Sequence, residues 1–335
     1  MPRRALIVGI NNYQDPENNL DAAVNDAEAL AERIARHSDK SPNYDCKDHV
    51  HVAKVKDGSI ITRSNLREWI HALFADFKGD VLFYFSGHGA MTSFGGWLCT
   101  SDAEKNDLGV SVEEVLKAAQ DSTASDILLI FDCCHSGSIG DAAILQSPKS
   151  GNAIAVLREN MTIIAASTAS QAAAEAGGHG LFTAAVLDGL DGGAADHMGW
   201  VTSQAIYAYV QRRFGAWGQT PVYKSHTTQV NTVRKCAPLI DRYKLERLLE
   251  FFPAKDSTFE LDPEYEPEDE HGNVKEPINK EKVAIARLFK DYRDAGLLRP
   301  CMDGEQLFWT ARKSHAVQLT TRGQEYWWLI RNDKI

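Results

Sequence analysis

Two apolar runs that each end abruptly in small and polar residues constrain this chain more than any other feature. Residues 81–85 are followed by Ser-Gly-His-Gly at 86–89, and residues 127–131 by Asp-Cys-Cys-His-Ser-Gly at 132–137. Continuous β-favouring runs are typical of strands buried on both faces of a parallel sheet. Ligand sites in such sheets lie beyond the carboxyl ends of the strands. We therefore expect one strand to present a cysteine and its neighbour to present His88.

The rest of the chain predicts that these two strands belong to a larger α/β unit. Apolar runs and amphipathic periods alternate along the first 236 residues, which indicates a mostly parallel sheet covered by helices on both faces. The predicted strands are 5–10, 49–55, 81–85, 96–100, 127–131 and 161–166, and the predicted helices are 20–34, 62–74, 112–119, 181–190 and 203–214.

The composition changes near residue 237 and predicts a second, smaller domain over residues 237–335. Residues 241–252 and 283–298 are predicted helices, residues 306–310 and 316–320 a β-hairpin, and residues 322–330 an aromatic terminal segment. That outline is typical of a winged-helix-like module. The acidic stretch 256–277 is predicted to be a solvated loop or linker.

Composition limits the classes of function. The 335 residues carry a formal net charge of −10, which argues against a surface devoted to nucleic acid. The six cysteines show no CxxC or metal-ligand spacing, which favours a reducing, cytoplasmic setting. The N-terminal apolar run is too short for a signal peptide, and we expect no membrane span and no organic cofactor.

A cysteine and a histidine at neighbouring strand ends can carry out nucleophilic catalysis. A thiolate attacks a carbonyl carbon, and a neighbouring imidazole takes the thiol proton and later protonates the leaving group. The developing oxyanion needs donors, and the backbone beside Gly89 and the amide of the nucleophile itself could supply them. The sequence shows no Asn or Asp that would orient His88, which favours a Cys-His dyad.

Several separate motifs resemble the caspase clan, most of all metacaspases and their bacterial relatives. They are Ala-Leu-Ile-Val-Gly-Ile-Asn-Asn-Tyr at 5–13, Asn-Asp-Ala at 25–27, Tyr-Phe-Ser-Gly-His-Gly at 84–89, Asp-Cys-Cys-His-Ser-Gly at 132–137 and Gly-Leu-Phe-Thr at 180–183. His88 and Cys134 are 46 positions apart, close to the ~50 typical of caspases. The resemblance covers residues 1–235 and implies an α/β/α sandwich with cysteine peptidase activity.

The resemblance also implies individual roles. Cys134 would be the nucleophile, His88 the general base, and the amides of Gly89 and Cys134 the oxyanion hole. Caspases have Gln two residues before the nucleophile, whereas this chain has Asp132, similar to the acid that metacaspases carry there.

A second acid of that family corresponds to Asp26. Two carboxylates at the floor of a pocket would bind a cationic side chain, so cleavage after Arg or Lys is expected. Ser86 is a lesser candidate for the same pocket, and Asp102 a weaker one.

Other residues of the family pattern allow further hypotheses. Asp141 lies where some metacaspases have a calcium-binding acid, although a lone Asp in a loop is usually only solvated. Lys149 and Arg158 lie in the region that family members cut to activate a zymogen. An enzyme specific for basic residues could cut itself there, and the alternative is that both are ordinary exposed residues. Cys133 is expected to be a structural thiol, and His135 a local hydrogen-bonding residue.

The C-terminal module has two interpretations. Its basic side chains could contact DNA phosphates, as in winged-helix proteins; they are Arg287, Lys290, Arg293, Arg312 and Lys313. The adjoining acidic stretch and the expectation that Trp327 and Trp328 are core residues favour regulatory docking of a protein partner, with nucleic acid disfavoured. The alternative for the whole chain is a catalytically silent caspase-like scaffold that binds a partner or DNA.

Overall fold

The computed structural model describes residues 1–93, 95–133, 157–166, 175–176, 178–215, 221–230, 232–269, 271–274 and 276–335. The chain forms two compact units. The first comprises Met1–Ala195 and Gly199–Ala237, and the second comprises Asp196–Met198 and Pro238–Ile335. Within the described residues, every helix is too short or too polar to cross a lipid bilayer.

The first unit contains the predicted alternation of strands and helices. Its described strands are β1 Arg3–Ile10, β2 Val50–Ala53, β3 Asp80–Gly87, β4 Gly89–Thr92, β5 Gly95–Glu104, β6 Asp107–Ser111, β7 Asp126–Cys133, β8 Met161–Ala165, β9 Glu175–Ala176, β10 His179–Gly180, β11 Trp200–Thr202, β12 Val222–His226 and β13 Thr232–Lys235. Its described helices are α1 Ala23–Ala35, α2 Arg63–Phe74, α3 Val112–Asp121, α4 Leu181–Asp188 and α5 Ser203–Phe214.

The main sheet of this unit has the strand order β12-β8-β7-β3-β1-β2 among the described residues. The pairings of β8, β7, β3, β1 and β2 are all parallel, and only the edge strand β12 runs antiparallel to its neighbour. Parallel strands need crossover connections, which the helices provide. The predicted mostly parallel α/β sheet is confirmed.

Helices cover both faces of the sheet because successive side chains of a strand point to opposite faces. On one face α2 and α3 pack against Leu6, Phe83 and Phe131. On the other face α1, α4 and α5 pack against Ile7 and Leu128. Both faces of the central strands are therefore buried, which explains their continuous apolar sequence.

A strand pairing and a close helix–strand contact determine where the site residues lie. Strands β3 and β7 pair in register, with Ser86 opposite Asp132 and Gly87 opposite Cys133. Helix α1 approaches β1 so closely that a Cβ on Gly9 would lie 2.5 Å from the carbonyl oxygen of Ala23. The absence of a side chain at Gly9 thus allows α1, which carries Asp26, to lie against the sheet.

The second unit is built around a small antiparallel sheet. The strands β14 Thr258–Glu260, β15 Leu298–Pro300 and β16 Ala316–Leu319 are arranged in the order β14-β16-β15 among the described residues. The described helices are α6 Arg242–Glu246, α7 Leu248–Phe251, α8 Lys280–Asp294, α9 Leu307–Arg312 and α10 Thr321–Arg331. Aromatic side chains form much of its core, including Phe252, Phe289 and Tyr292.

The predicted hairpin of the C-terminal module is wrong in its first strand. Residues 307–312 form helix α9 and not a strand, because Leu307 and Ala311 are four residues apart and share one buried helical face. Strand β16 pairs instead with β14 and β15, which lie far from it in sequence. The order of helix, helix and hairpin is therefore absent from the described residues, and the winged-helix prediction is not confirmed.

The prediction that residues 256–277 form a solvated loop or linker is wrong for the first part of this stretch. Phe259 lies in β14, and Leu261 and Tyr265 are buried in the core of the second unit. Lysines of α8 form ion pairs with the acidic side chains around them; the pairs are Lys282 with Asp262 and Glu264, and Lys290 with Glu266. The apolar residues that lie between the acids pack against the core, and a count of charges does not reveal them.

The Trp327–Trp328 pair, which we expected to be core, is divided between the core and the surface. The Nε1 of Trp327 donates a hydrogen bond of 2.6 Å to the carbonyl oxygen of Phe252. Trp328, one residue further along α10, is 50% exposed. Adjacent helical residues point about 100° apart, so both could not face the same core.

We predict that Leu261→Ala lowers the free energy of unfolding by about 2–5 kcal/mol, because it removes a buried leucine side chain and leaves a cavity. Leu239→Ala is the matched control, since Leu239 is 68% exposed whereas Leu261 is 5% exposed. Urea denaturation of the two variants measures the difference. Equal stabilities would show that the acidic segment is not part of the core.

Candidate active site

His88 lies at the junction between the end of β3 and the start of β4. Its ring Nε2 is 2.8 Å from the carbonyl oxygen of Asn18. A carbonyl oxygen only accepts hydrogen bonds, so Nε2 carries the hydrogen and Nδ1 is left as an acceptor when the ring is neutral. This is the tautomer that a general base needs if Nδ1 faces the nucleophile.

Sequence reasoning missed the group that orients His88. It looked for an Asn or Asp side chain, whereas the partner is the main-chain carbonyl of Asn18. A backbone carbonyl has no side-chain signature, so only the fold could show it. The glycine before His88 has a steric reason as well: a Cβ on Gly87 would lie 2.8 Å from the hydroxyl oxygen of Tyr13.

Asp26 and Asp132 meet beside Gly180. Asp26 comes from α1 and Asp132 from the end of β7, and both are almost fully buried, at 2% and 5% exposure. A Cβ on Gly180 would lie 3.3 Å from Oδ2 of Asp26 and 3.4 Å from Oδ2 of Asp132. The two oxygens are therefore less than about 7 Å apart.

Each carboxylate already has partners. The Thr183 hydroxyl donates a 2.5 Å hydrogen bond to Oδ2 of Asp132, and the Tyr84 hydroxyl lies 2.6 Å from that of Thr183. Because Thr183 uses its one hydrogen on the carboxylate, Tyr84 must donate to Thr183. Asp26 accepts from Nδ1 of His179 at 2.8 Å and from the amide of Gly180 at 3.3 Å.

Burial of this pair has an electrostatic consequence. Desolvation raises the pKa of Asp132 to about 6, while the hydrogen bonds from Thr183 act in the lowering direction. The pKa of Tyr84 is also raised, first by burial and then by the charges of Asp26 and Asp132.

The remaining predicted residues fall at different places. Ser86 is 3% exposed and pairs with Asp132 across adjacent strands, so it borders the acidic pair. Gly89 begins β4 and pairs with Leu98. Asp102 instead accepts hydrogen bonds from the amide of Arg63 and the hydroxyl of Thr100, at the start of α2.

The Arg158 side chain is held by the segment that precedes β7. Its guanidinium donates to the carbonyl oxygen and the hydroxyl of Ser122 and to the carbonyl oxygen of Ala124, at 2.7–3.0 Å. Cys133 is 2% exposed at the end of β7. Cys134, His135, Asp141 and Lys149 lie outside the described residues.

Sequence reasoning did not single out two polar residues of this region. Thr183 belongs to the Gly-Leu-Phe-Thr motif at 180–183 and could have been found there, and His179 directly precedes that motif. In the described part of the chain, no group of three or more His, Cys, Asp or Glu side chains could hold a metal ion.

Two curated relatives share moderate sequence similarity with this chain. Metacaspase-1 of Candida albicans is 27% identical over 171 residues, which is 44% of this chain and 36% of the relative. Metacaspase-1 of Lodderomyces elongisporus matches with the same identity and coverage. The chain thus spans only about a third of the length of these relatives.

Solved structures resemble the chain more weakly. A protein from Geobacter sulfurreducens aligns with a TM-score of 0.48 and 17% identity, over 68% of this chain and 95% of that one. The structure of pro-sf-caspase-1 aligns with a TM-score of 0.44 and 12% identity, over 70% of this chain and 91% of its own.

The family profile for the caspase domain matches residues 2–233. That match covers well over half of the 335 residues and includes every motif on which the resemblance was based. The resemblance is thereby confirmed, and the chain belongs to the caspase-domain family.

Proposed function

We propose that this chain is a cysteine endopeptidase in which Cys134 is the nucleophile and His88 the general base. The observation that carries the proposal is the oriented imidazole of His88, whose Nε2 is bonded to the Asn18 carbonyl at the end of a central strand. Gly87 pairs with Cys133, and the residues that follow these two in sequence are His88 and Cys134. Membership of the caspase-domain family supports the same pairing.

The reaction follows from these groups. Nδ1 of His88 takes the thiol proton, and the sulfur of Cys134 attacks the scissile carbonyl carbon. The C–N bond breaks, and the departing amine takes the proton from His88, leaving a thioester. Water, deprotonated by His88, then attacks the thioester, releases the carboxylic acid and restores the thiol. The amides of Gly89 and Cys134 are the proposed donors to the oxyanion.

The acidic pair favours substrates with a basic side chain before the scissile bond. Asp26 and Asp132 present two carboxylate oxygens near one point, and Ser86 lies beside Asp132. Two such groups attract a guanidinium or ammonium and repel a carboxylate. We therefore propose cleavage after Arg or Lys and not after Asp.

The C-terminal unit is proposed to be a regulatory docking module. Many of the basic groups once considered for DNA already have acidic partners, as Lys290 has Glu266 and Lys313 has Glu305. Lysines that are already paired with acids attract phosphates less than free lysines, which disfavours nucleic acid.

Activation by cleavage near Lys149 stays a proposal. Cleavage at Arg158 would require its three hydrogen bonds to break.

We predict that the protein cleaves fluorogenic peptides ending in Arg or Lys and not matched peptides ending in Asp. Hydrolysis should vanish in Cys134→Ala, which removes the nucleophile. The same assays, repeated with added Ca²⁺ and with a chelator, test whether cleavage depends on calcium. Turnover of the Asp peptide would overturn the acidic-pocket assignment, and absence of any turnover would favour the catalytically silent scaffold.

We predict that Gly180→Ala weakens binding of Arg peptides, with KM raised by about tenfold, roughly 1.4 kcal/mol. The backbone of Gly180 has φ −61° and ψ 142°, which alanine adopts readily. Its added methyl would lie against both Oδ2 atoms and hinder a cation there. The variant's unfolding midpoint serves as the control. A folded variant with unchanged KM would contradict the proposed pocket.

We predict that Asp132→Asn abolishes Arg-peptide cleavage and yet stabilises the fold at pH 7.5. Because the folded pKa of about 6 exceeds the unfolded value of 3.8, proton binding stabilises the folded state. That stabilisation is complete below pH 3.8 and is lost as the pH rises through 6.

The asparagine variant has no such loss, so its advantage at pH 7.5 could reach about 3 kcal/mol and should disappear near pH 4. Urea denaturation at both pH values measures this difference. A pH-independent difference between the variant and the parent protein would show that Asp132 is not held at a raised pKa.

A further inference from the structure

The loop of residues 11–20, between β1 and α1, holds His88 from two sides. The main-chain N–H of His88 donates a 2.8 Å hydrogen bond to the hydroxyl oxygen of Tyr13. The rings of the two residues are 4.8 Å apart between centroids and inclined by 54°. From the same loop, the Asn18 carbonyl accepts the ring Nε2. One short loop thus contacts both the backbone and the imidazole of His88.

Asn19 connects the two contacts to each other. Its Oδ1 accepts a 2.9 Å hydrogen bond from the main-chain N–H of Tyr13. The turn that presents Asn18 is closed by bonds from the Asn18 amide to the Asp15 carbonyl and from the Asn19 amide to the Pro16 carbonyl. Movement of Tyr13 would therefore also shift the carbonyl that fixes the tautomer of His88.

The loop is anchored to the rest of the first unit. The Asn12 amide bonds to the Ala53 carbonyl, the Asn12 side chain to the Ser59 carbonyl, and the Gln14 amide to the Ser101 carbonyl. Tyr13 itself is only 7% exposed and belongs to the core beneath α2 and α3. A loop held at so many points is a rigid support for a side chain.

We propose that Tyr13 is a positioning residue for His88 and that Asn19 supports it. This inference rests on the proposed function, in which His88 is the general base. The Tyr13 hydroxyl supplies the acceptor for the His88 amide, just where the chain leaves β3 for β4. Its ring limits the rotation of the imidazole. Together with the Asn18 carbonyl, it holds Nδ1 in one direction, and general-base catalysis depends on such alignment.

The kinetic test is Tyr13→Phe, which keeps the ring and removes the acceptor. We expect kcat for an Arg peptide to fall by about tenfold to a hundredfold and KM to stay within about twofold, because substrate binding uses other groups. Tyr292→Phe is the control, since the Tyr292 hydroxyl also bonds the main chain from a buried tyrosine of the second unit, where it donates to the Lys244 carbonyl. Unchanged kcat in Tyr13→Phe, or an equal loss in the control, would overturn the proposal.

Asn19 allows a rescue experiment. Asn19→Ala removes the acceptor for the Tyr13 amide and should lower kcat in the same direction, by several-fold. Asn19→Asp keeps an oxygen in that place and should restore most of the activity. Equal activities of the two variants would remove Asn19 from the proposal.

A measurement on the imidazole itself separates this inference from the peptidase proposal. In protein carrying ¹⁵N-labelled histidine rings, the spectrum reports the His88 tautomer without any turnover, and comparison with His88→Gln assigns the signals. We expect a single Nε2–H tautomer in the parent protein and a mixture in Tyr13→Phe. Peptidase inactivity with this spectral change would leave the positioning role intact, whereas identical spectra would overturn it.

Discussion

The in-register pairing of β3 with β7 is the constraint on which the proposed active site depends. It places Ser86 beside Asp132 and Gly87 beside Cys133, so the two sequence motifs end at the same edge of the sheet. A slip of one residue would turn every side chain of one strand to the opposite face and remove its apolar residues from the core. The register that buries the apolar side chains is therefore the same register that brings the two motifs together.

The acidic pair shows how burial is balanced against function. Asp26 and Asp132 are buried in a unit whose stability comes from apolar packing, and ionised carboxylates are costly there without partners. The structure supplies the Tyr84–Thr183 hydroxyl chain to one acid and His179 with the Gly180 amide to the other. These bonds do not cancel desolvation at Asp132, whose pKa stays raised. A cation between the two acids, as we propose for the substrate side chain, would offset that cost.

Most of the fold of the first unit could be predicted from the sequence, because strands buried on both faces and amphipathic helices leave strong local patterns. Helix α5, for example, was predicted with its observed bounds, Ser203–Phe214. The second unit was harder. Its β14 and β15 are three residues long and are held by pairing with β16. The sequence of the six-residue helix α9 predicts a strand instead. Short elements take their conformation from tertiary contacts more than from local preference.

The sequence by itself determined the family, the mostly parallel sheet and the residue types at its edge, because strand ends, glycines and paired motifs are local features of the chain. Only the tertiary structure decided that the Asn18 carbonyl orients His88, that the Tyr13 hydroxyl lies against Gly87, and that Asp26 and Asp132 meet beside Gly180. Each of these facts joins segments distant in sequence, and two depend on backbone atoms that every residue has. A backbone carbonyl that orients a histidine differs from any other carbonyl only in its position, and the packing of the whole unit sets that position.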